Sequence, residues 1–538
     1  MKKILLILIL LLSTFLRFWH LGSYPALNAD EAAIGYNAYS LIQTGMDEHE
    51  NVWPLQFQSF NDYKPGFYFY LVLPFIKLFG LNEWSVRVPS AALGVLSVLI
   101  IYLFVKELFK NEKLALISAF FLGISPWHIH FSRGGWEVNV ATFFILLGMW
   151  LLMKAREKPK YYIHALISLT ISLYTYHAAR IIAPLLGLGF LLFYWKDIKN
   201  NLKQFLIAIG IAFVILIPLG IDMVKPSAVS RVAGVGLFAD LGPINRINEQ
   251  RGQHDDIQSI SGKLLHNKFV NYGLSFLENW SQHYHGLFLF VSGDEIQRNK
   301  VPETGQMYLY SFILVIIGLW VIFRELKNWG IILWWLGVSP LAAALTFQSP
   351  HALRAQNMVI PLVIISAFGM VQILNWLEKN KSRFFKISFK VLLAFIIILG
   401  FARYQHMYWV HMAKEYPYSS QYGVKELVNY ISENQNKYEK VFITERYDQP
   451  YILFLFYMKY SPEKFQSNHT LTARDMYGFS TVRNFDKYYF ETINFEEIRS
   501  ENPNSLIIGT EKEIPVEANI VKTIYFPGNQ TAFKVVAN

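Results

Sequence analysis

Two carboxylates and a lysine occur in the first polar stretch of the chain. Asp30 and Glu31 follow a long apolar run (Ile4–Phe18), and Lys64 lies further along in a Tyr-Lys-Pro-Gly sequence. The apolar run nearly suffices to cross a bilayer, so we expect the carboxylates at the water interface, where they stay ionised beside lipid headgroups. Carboxylates and cations at one face of a bilayer predict a site that handles a phosphorylated lipid.

The acidic pair has two interpretations. Asp30 and Glu31 fit the first turn of a helix predicted over Ala32–Gln43, where the helix dipole stabilises negative charge. Alternatively, they provide a general base or orient an acceptor, as transfer to a hydroxyl or amine requires. Glu137 opens another predicted helix on the same face and has the same two interpretations. Asp30, Glu31 and Glu137 are therefore the candidate catalytic residues.

Three arginines accompany these carboxylates. Arg133, Arg180 and Arg354 each lie at the external end of a predicted span, against the bias that places basic residues in the cytoplasm. A lone arginine there usually reaches towards lipid phosphates. Several together would form a clamp for a phosphate leaving group, since guanidinium groups bind phosphate oxygens in a bidentate manner. Lys64, Arg133, Arg180 and Arg354 are the candidate donor-phosphate ligands.

A metal centre is less well supported by the sequence. The chain has no cysteine. Histidines near the external face include His128 and His130, but residues two positions apart do not share a helix face. We therefore predict no dedicated metal site, although a divalent cation at the carboxylates stays open.

Composition indicates a membrane protein. Of 538 residues, 53% are hydrophobic and 16% are charged, well below the charged share of about a quarter in soluble domains. The net charge is +10, but the basic residues punctuate apolar runs and form no patch on a soluble domain. Nucleic acid is therefore not predicted as a partner.

Apolar runs and the charges between them predict the topology. Clusters of Lys and Arg follow every second run, which places the N-terminus in the cytoplasm and the C-terminus outside. We predict about 11 spans in the cell membrane, or up to 13 if residues 67–80 and 273–291 also cross, although the former fits an in-plane interfacial helix better. The runs cover residues 4–20, 86–105, 114–131, 138–153, 161–176, 178–195, 204–222, 307–323, 329–347, 355–377 and 387–403.

Two domains are predicted. Residues 1–404 form the membrane domain, with a first external loop (22–85) that carries juxtamembrane helices and a large external loop (223–306). Residues 405–538 form a soluble, extracytoplasmic α/β domain, because helical and strand patterns alternate there. The predicted helices are Val424–Glu433 and Pro450–Tyr460, and the predicted strands are Lys440–Thr444, Phe479–Arg483, Ser505–Gly509, Ile520–Tyr525 and Ala532–Val536.

Motifs between residues 28 and 110 resemble those of a known group. After Asp30-Glu31 come Gly-x-Asn-Ala-Tyr (Gly35–Tyr39), x-Lys-Pro-x around Lys64, and Phe-Gly-x-Asn-Glu-x-x-x-Arg-x-Pro-Ser (Phe79–Ser90). In this order the chain resembles the C-type (GT-C) membrane glycosyltransferases, specifically the group around glycosyltransferase family 39. That group includes protein O-mannosyltransferases and lipid A aminoarabinose transferases. The resemblance covers the N-terminal three quarters of the chain.

The resemblance implies an all-α membrane bundle of GT-C type and an inverting hexosyl or pentosyl transferase. Its donor would be a sugar on a polyprenyl phosphate, and its acceptor a glycan, lipid or protein outside the cytoplasm. Asp30 matches the catalytic carboxylate of the group, Lys64 the lysine near the lipid phosphate, and Glu137 the acidic residue that starts a later external helix. Arg180 and Arg354 match positions that recur in bacterial members.

Two other functions stay open at this point. A polymerase or ligase of lipid-linked glycans would use a lipid diphosphate donor. A lipid or solute transporter would also place charge in the membrane, but near its midplane and in broken, repeated helices. In this chain the charges cluster at one face, which favours the transferase.

Overall fold

The computed structural model describes residues 2–60, 62–225, 236–326, 328–474 and 480–538. The chain divides into two compact units. The first, which we call the helical unit, comprises Met1–Leu16, Leu93–Phe131 and Val138–Tyr404. The second, which we call the mixed unit, comprises Arg17–Ala92, Ser132–Glu137 and Gln405–Asn538. One cut thus falls at the predicted boundary after residue 404, but the mixed unit also includes the first external loop.

Every apolar run predicted to span the membrane contains a helix. Proline divides some runs. For example, Ser125 separates Glu112–Ile124 from Pro126–Ser132, since a proline favours a non-helical residue before it. The helices from the N-terminus to residue 406, leaving aside the first external loop, are Lys2–Phe18, Glu83–Phe109, Glu112–Ile124, Pro126–Ser132, Glu137–Ala155, Tyr161–Thr175, Ala179–Asn200, Leu202–Met223, Gly242–Gly252, Ile260–Leu265, Lys268–Gln282, Leu309–Ile322, Gly330–Val338, Leu341–Ala344, Val359–Lys379 and Arg383–His406.

Fewer helices are long and apolar enough to be membrane spans than the sequence predicts. Within the described residues, 6 helices are long and apolar enough to cross a membrane, or 7 if the pair bent by 56° at Ser125 is one span. Shorter apolar helices include Phe67–Phe79, Leu309–Ile322 and Gly330–Ala344. The chain is a multi-pass membrane protein, and the count of 11 stays a prediction. Within the large external loop, residues 226–235 lie outside the described part.

The mixed unit contains a two-stranded and a seven-stranded sheet. The strands are β1 (Gln56–Ser59), β2 (Asp62–Pro65), β3 (Lys440–Thr444), β4 (His469–Leu471), β5 (Val482–Phe485), β6 (Tyr488–Glu491), β7 (Ser505–Gly509), β8 (Ile520–Tyr525) and β9 (Thr531–Ala537). In the larger sheet the strand order is β4-β5-β6-β3-β7-β9-β8, with β3 parallel to β6 and β7 and the other pairs antiparallel.

The central strands are those with the most continuous apolar sequences. Val441–Thr444 and all of β7 are buried, as expected of parallel strands covered on both faces. The predicted strands at 440–444, 505–509 and 520–525 are found at those bounds, and β9 extends the prediction at 532–536 by one residue at each end. Val482 and Arg483 of the strand predicted over 479–483 belong to β5, and Phe479 lies outside the described residues.

Helices cover these strands and carry the first external loop. The helix predicted over 32–43 begins earlier, at Ala29, and ends at Thr44; we call it the loop helix. The two helices predicted in the C-terminal region are confirmed, each with its end shifted by one or two residues. The helices of the mixed unit before residue 83 and after 411 are Ala29–Thr44, Phe67–Phe79, Met412–Glu415, Val424–Asn434, Pro450–Met458, Pro462–Ser467 and Phe495–Glu501.

The predicted orientation can be tested by cysteine labelling, because the native chain has no cysteine. Ser467 and Ser382 are both exposed at the protein surface. We expect Ser467→Cys to react with an impermeant maleimide in intact cells, and Ser382→Cys to react only after the membrane is opened. The reverse labelling pattern would contradict the predicted orientation.

Candidate active site

The loop helix begins with a capping box. Asn28 is the N-cap, and its side chain accepts a hydrogen bond from the Glu31 backbone N–H at 3.0 Å, while the Glu31 side chain accepts one from the Asn28 backbone N–H. This reciprocal arrangement satisfies two N–H groups that a helix start leaves without partners. The helix-start interpretation is therefore correct for Glu31, and it places Asp30 in the first turn.

Glu31 forms a buried, bidentate ion pair with Arg87. The Glu31 Oε1–Arg87 Nε and Oε2–Nη2 distances are both 2.7 Å. The remaining guanidinium N–H groups donate to the backbone carbonyls of Leu21, Pro25 and Ala26 at 2.8 to 3.1 Å. All five donors of Arg87 thus have acceptors. A buried ion pair needs such full satisfaction because both charges lose their hydration. The pair fixes the start of the loop helix to the first turns of the helix Glu83–Phe109.

We expect Arg87→Met to lower the free energy of unfolding by about 3–5 kcal/mol, because it leaves the Glu31 carboxylate buried without its counter-charge. Thermal unfolding of the purified protein measures the change. Arg246→Met is a matched control, since Arg246 forms an exposed pair with Glu249 at 2.7 Å and such pairs contribute about 1 kcal/mol or less. Equal stability of the two variants would contradict the conclusion that Arg87 fixes the start of the loop helix.

Glu31 also holds the segment that precedes Glu137. Its Oε1 accepts a hydrogen bond from the Gly135 backbone N–H at 2.8 Å. A Cβ at Gly135 would lie 3.0 Å from Val86 Cγ1, so the close approach favours glycine. Glu137 itself is buried and opens the helix Glu137–Ala155, as predicted. Burial, followed by the charges of Glu31 and Glu137, raises the pKa of the Tyr68 phenol well above its usual range. The Tyr68 hydroxyl donates a hydrogen bond to the Val86 carbonyl at 2.7 Å.

Asp30 and Lys64 form the second ion pair of the loop. Lys64 Nζ lies 2.5 Å from Asp30 Oδ1, and the side chains are 12% and 24% exposed for Lys64 and Asp30, respectively. Unlike the Glu31–Arg87 pair, this one is open to solvent. Lys64 Nζ also lies 5.1 Å from the centre of the Phe60 ring, within the range of a cation–π contact. The structure thus brings the predicted base and the predicted phosphate ligand together.

A short hairpin positions Lys64. Strands β1 and β2 pair antiparallel, with Phe57 opposite Lys64. The Phe57 and Phe69 rings stack at 4.1 Å between centres, which anchors the hairpin to the helix Phe67–Phe79. The backbone N–H of Gly66 donates to the Leu55 carbonyl at 2.9 Å, and a Cβ at Gly66 would lie 2.7 Å from that oxygen. A glycine is therefore required at position 66, directly after Lys64 and Pro65.

Arg133 is buried among backbone carbonyls and aromatic rings. Its Nε donates to the Tyr408 hydroxyl at 2.9 Å, and its Nη atoms donate to the carbonyls of Arg17 and Tyr24 at 3.3 and 3.2 Å. Its guanidinium carbon lies 4.8 Å from the centre of a Trp409 ring. These contacts join three separate parts of the mixed unit. Arg133 as a donor-phosphate ligand stays a prediction.

Arg180 and Arg354 belong to the helical unit. Arg180 Nε donates to the Leu173 carbonyl at 3.2 Å, and its Nη1 lies 3.2 Å from His177 Nδ1. Arg354 Nη1 donates to the Thr346 hydroxyl at 2.7 Å. Arg180 lies in the first turn of the helix Ala179–Asn200, and Arg354 lies in the turn before Gln356. Their role as phosphate ligands stays a prediction.

The C-terminal region packs directly against the loop helix. Gln421 Oε1 accepts a hydrogen bond from the Ala29 backbone N–H at 2.6 Å, next to Asp30. Further along the helix, the Tyr36 hydroxyl donates to the Tyr460 carbonyl at 3.1 Å. A Cβ at Gly35 would lie only 2.5 Å from the Phe456 ring. The C-terminal region thus helps to hold the helix that carries the acidic pair. No local sequence signal predicts contacts between residues so far apart in the chain.

The carboxylates do not form a metal centre in this arrangement. Among the described residues, no group of three or more His, Asp and Glu is placed to hold a metal ion. Both Glu31 oxygens are bonded to Arg87, and Oε1 also accepts from Gly135. Asp30 is bonded to Lys64.

Comparisons with known proteins give a family match over part of the chain. Residues 63–221 match the model of a family described as dolichyl-phosphate-mannose-protein mannosyltransferase. The chain is 25% identical over 264 residues to the "Putative mannosyltransferase YkcB" of Bacillus subtilis (strain 168). That alignment covers 48% of this chain and 35% of the relative, so it spans about a third of the relative's length.

Solved structures of low sequence identity share the fold. ArnT from Cupriavidus metallidurans, bound to undecaprenyl phosphate, superimposes with a TM-score of 0.55 at 11% identity, over 99% of this chain and 97% of that chain. AglB from Archaeoglobus fulgidus, in complex with an inhibitory peptide and a dolichol-phosphate, gives a TM-score of 0.51 at 14% identity, over 85% and 63%. The predicted resemblance to C-type glycosyltransferases is therefore confirmed, and the fold is of GT-C type.

Arg87 is the main site residue that the sequence analysis did not assign. It lies in the Phe79–Ser90 motif, at the external end of a predicted span, like the three arginines that were assigned. Its partner Glu31 is 56 positions away. The sequence offered one signal for this pair: an arginine in the Phe79–Ser90 motif, which follows the external loop that contains the acidic pair.

Proposed function

We propose that the chain is an inverting glycosyltransferase that moves a sugar from a polyprenyl-phosphate donor to an acceptor at the extracytoplasmic face of the membrane. The observation that carries this proposal is the solvent-accessible Asp30–Lys64 pair at the start of the loop helix. A carboxylate and an ammonium group side by side supply the two functions that transfer from a phosphate requires.

The reaction assigns one function to each group. The acceptor oxygen or nitrogen attacks the anomeric carbon of the donor sugar, and its proton passes to Asp30. The bond between that carbon and the phosphate oxygen breaks, and its electron pair leaves with the polyprenyl phosphate. Lys64 stabilises the charge that develops on this phosphate. Attack opposite to the leaving group inverts the anomeric configuration.

The resting ion pair implies an order of events. A carboxylate bonded to an ammonium group is a weaker base than a free one, because the cation stabilises its ionised form. A donor phosphate competes with Asp30 for Lys64. Donor binding therefore releases Asp30 as a base when the leaving group is in place, and an acceptor alone does not meet an active base.

The other candidate residues support this pair in the proposal. Glu31 is a positioning residue, because its oxygens are bonded to Arg87, Gly135 and Asn28. Glu137 is a second candidate carboxylate at the site. Arg133, Arg180 and Arg354 are proposed as further donor-phosphate ligands on the resemblance and on their position in the sequence.

The ligands of the two structural neighbours support a lipid-linked donor. ArnT is described as bound to undecaprenyl phosphate and AglB as bound to a dolichol-phosphate and a peptide. A polyprenyl monophosphate is thus the proposed leaving group for this chain. A glycan, a lipid headgroup and a protein are all chemically suitable acceptors.

The donor class can be tested with purified protein in lipid vesicles. We expect a polyprenyl-monophosphate sugar to be consumed with release of polyprenyl phosphate, which lipid extraction and mass spectrometry measure. Consumption of a polyprenyl-diphosphate glycan instead would favour a polymerase or ligase. Movement of either lipid between leaflets without cleavage would favour a transporter.

A further inference from the structure

A buried carboxyl group in the large external loop has no role in the proposed mechanism. Asp294 is completely buried. Gly293 before it has a φ of 74°, and a Cβ there would lie 2.7 Å from the Thr304 carbonyl oxygen, so the tight turn needs glycine. Within this loop, Asp294 Oδ1 accepts a hydrogen bond from the Ile296 N–H at 2.9 Å, and Oδ2 accepts one from Asn299 Nδ2 at 3.0 Å. These contacts fix the orientation of the carboxyl group.

The same carboxyl group bonds to a segment 58 positions further along the chain. Asp294 Oδ2 accepts a hydrogen bond from the Ala352 backbone N–H at 2.6 Å. Ala352 is completely buried as well, and a buried N–H group that loses its partner is costly for stability. It belongs to a turn of residues 351–355, which we call the arginine turn because it carries Arg354. Asp294 thus joins its own loop to the arginine turn.

Two further buried side chains hold the arginine turn. His283 Nδ1 lies 2.8 Å from the Asn279 carbonyl oxygen, so Nδ1 carries the proton and Nε2 is an acceptor. That Nε2 accepts a hydrogen bond from the His351 backbone N–H at 3.1 Å. The Trp127 indole N–H donates to the Ala352 carbonyl at 3.0 Å. Both backbone polar groups of Ala352 therefore have partners on other elements of the helical unit.

The Arg354 side chain is oriented by the same surroundings. Its backbone N–H donates to His351 Nδ1 at 3.4 Å, and its guanidinium Nη1 donates to the Thr346 hydroxyl at 2.7 Å. Thr346 is itself bonded to the helix Lys268–Gln282, because Asn279 Nδ2 donates to the Thr346 carbonyl at 3.0 Å. An arginine that only reaches towards lipid phosphates needs no fixed backbone, whereas a guanidinium group that binds one particular phosphate needs a rigid support.

We propose that Asp294 is a positioning residue for the donor phosphate: it fixes the arginine turn, and the turn holds the Arg354 guanidinium group ready for the phosphate. The inference rests on the proposed function, in which Arg354 is a donor-phosphate ligand. In this role Asp294 contacts no atom of the donor and acts only through the turn. A group held in its binding conformation binds more tightly, because it loses less conformational freedom on binding. Loss of the anchor should therefore weaken donor binding.

The first variant is Asp294→Asn, which keeps the shape of the side chain. Both oxygens of Asp294 accept hydrogen bonds from backbone N–H groups, and an amide has only one oxygen, so one of these bonds is lost. We expect the affinity of the full-length protein for a short-chain isoprenyl monophosphate to fall roughly tenfold, the usual effect of weakening one charged contact. Glu295→Gln, an exposed change at the next position, should keep wild-type affinity.

A double variant separates positioning from general damage to the fold. If Asp294 acts through Arg354, Asp294→Asn should have almost no further effect on donor affinity in an Arg354→Ala background. A purely structural role would lower donor affinity by the same factor in both backgrounds. Acceptor affinity, measured separately, should stay at the wild-type value in Asp294→Asn. Equal losses for donor and acceptor would overturn the proposal.

A second variant keeps the test decisive if Asp294→Asn does not fold. His283→Phe keeps a ring beside Phe288, whose ring centre lies 5.7 Å from that of His283, but it cannot accept the hydrogen bond from the His351 N–H. Loss of a neutral hydrogen bond usually costs about 1 kcal/mol, so donor affinity should fall about fivefold, and only while Arg354 is present. A loss of the same size in the Arg354→Ala background would contradict positioning.

Hydrogen exchange provides a measurement that needs no donor. The backbone N–H groups of the arginine turn should exchange faster in Asp294→Asn and in His283→Phe than in the wild type, because each variant removes a bond that closes the turn against its neighbours. The helix Val359–Lys379, which follows the turn, should keep its wild-type protection. Unchanged exchange of residues 351–355 in both variants would overturn the anchoring role.

The outcomes separate this inference from the proposed function. Weaker donor binding by Arg354→Ala together with wild-type binding by Asp294→Asn would overturn the role of Asp294 and leave the donor assignment standing. Wild-type binding by Arg354→Ala would remove Arg354 from the donor site and overturn this inference, while the Asp30–Lys64 assignment would stand. Absence of binding by the wild type would overturn the donor assignment and this inference together.

Discussion

Asp30→Asn is expected to lower sugar transfer by about 10²–10⁴-fold, the usual contribution of a positioned general base. The amide keeps the shape of the side chain but cannot accept the acceptor's proton. Asp30 is partly exposed, and the adjacent Glu31–Arg87 pair holds the helix start. Expression and thermal stability should therefore change little. Transfer rates with a polyprenyl-phosphate sugar measure the effect.

Glu50→Gln is the matched control for Asp30→Asn, because it removes an exposed carboxylate from the same external loop. It should leave transfer within about twofold of wild type, as surface changes usually do. Activity of Asp30→Asn within a few-fold of the control would exclude Asp30 as the base. The carboxylate would then only start the loop helix.

Lys64→Ala is expected to weaken donor binding by about ten- to a hundredfold, since a charged hydrogen bond contributes roughly 1.5–3 kcal/mol. Acceptor binding should change far less. Because Lys64 and Asp30 are bonded to each other, the double variant should lose less than the sum of the two single variants. Titration with a donor analogue and with an acceptor, each measured separately, gives the comparison.

Lys77→Ala provides the control for Lys64→Ala, as Lys77 is exposed on the helix Phe67–Phe79 that follows the hairpin. Its donor affinity should equal that of the wild type. Arg133→Ala should differ from both, because the buried Arg133 joins Tyr408, Arg17 and Tyr24 and its loss should reduce stability. Wild-type donor affinity in Lys64→Ala would exclude the proposed phosphate contact.

The parts of the site that share a local sequence were predictable. Asp30 and Glu31 start a helix because Asn28, two and three positions before them, caps it. Lys64 is marked by its Tyr-Lys-Pro-Gly sequence, whose glycine is needed for a close approach to Leu55. The sequence did not predict that the two adjacent carboxylates would have different partners. It depends on Arg87 and Lys64, which reach the two carboxylates from different elements.

Long-range contacts explain what the sequence analysis missed. Gln421 lies 392 positions from Ala29, and Gln466 lies 419 positions from Asp47, whose carbonyl it contacts at 2.7 Å. Such pairs leave no periodicity or spacing to detect. They link the region after residue 404 to the first external loop. Composition alone predicts that these two parts of the chain belong to different domains.

Strand β6 is one of the strands that the sequence analysis did not predict, and the reason is local. It pairs with β5 across a two-residue turn, Asp486-Lys487, with Phe485 opposite Tyr488. Asp486 has a φ of 51°, a conformation that usually calls for Asn or Gly. Without a glycine in the turn, the sequence carries no hairpin signal. The other strands next to β3 and at the C-terminus were predicted because their apolar runs are longer.

The most direct test of the account is single-turnover transfer from a defined polyprenyl-phosphate sugar, with the anomeric configuration of the product determined by NMR. The account predicts that the wild type releases one polyprenyl phosphate per sugar transferred, with the inverted anomer as product, and that Asp30→Asn forms almost none. A product with retained configuration, or equal turnover by Asp30→Asn, would contradict direct displacement by an acceptor that Asp30 activates.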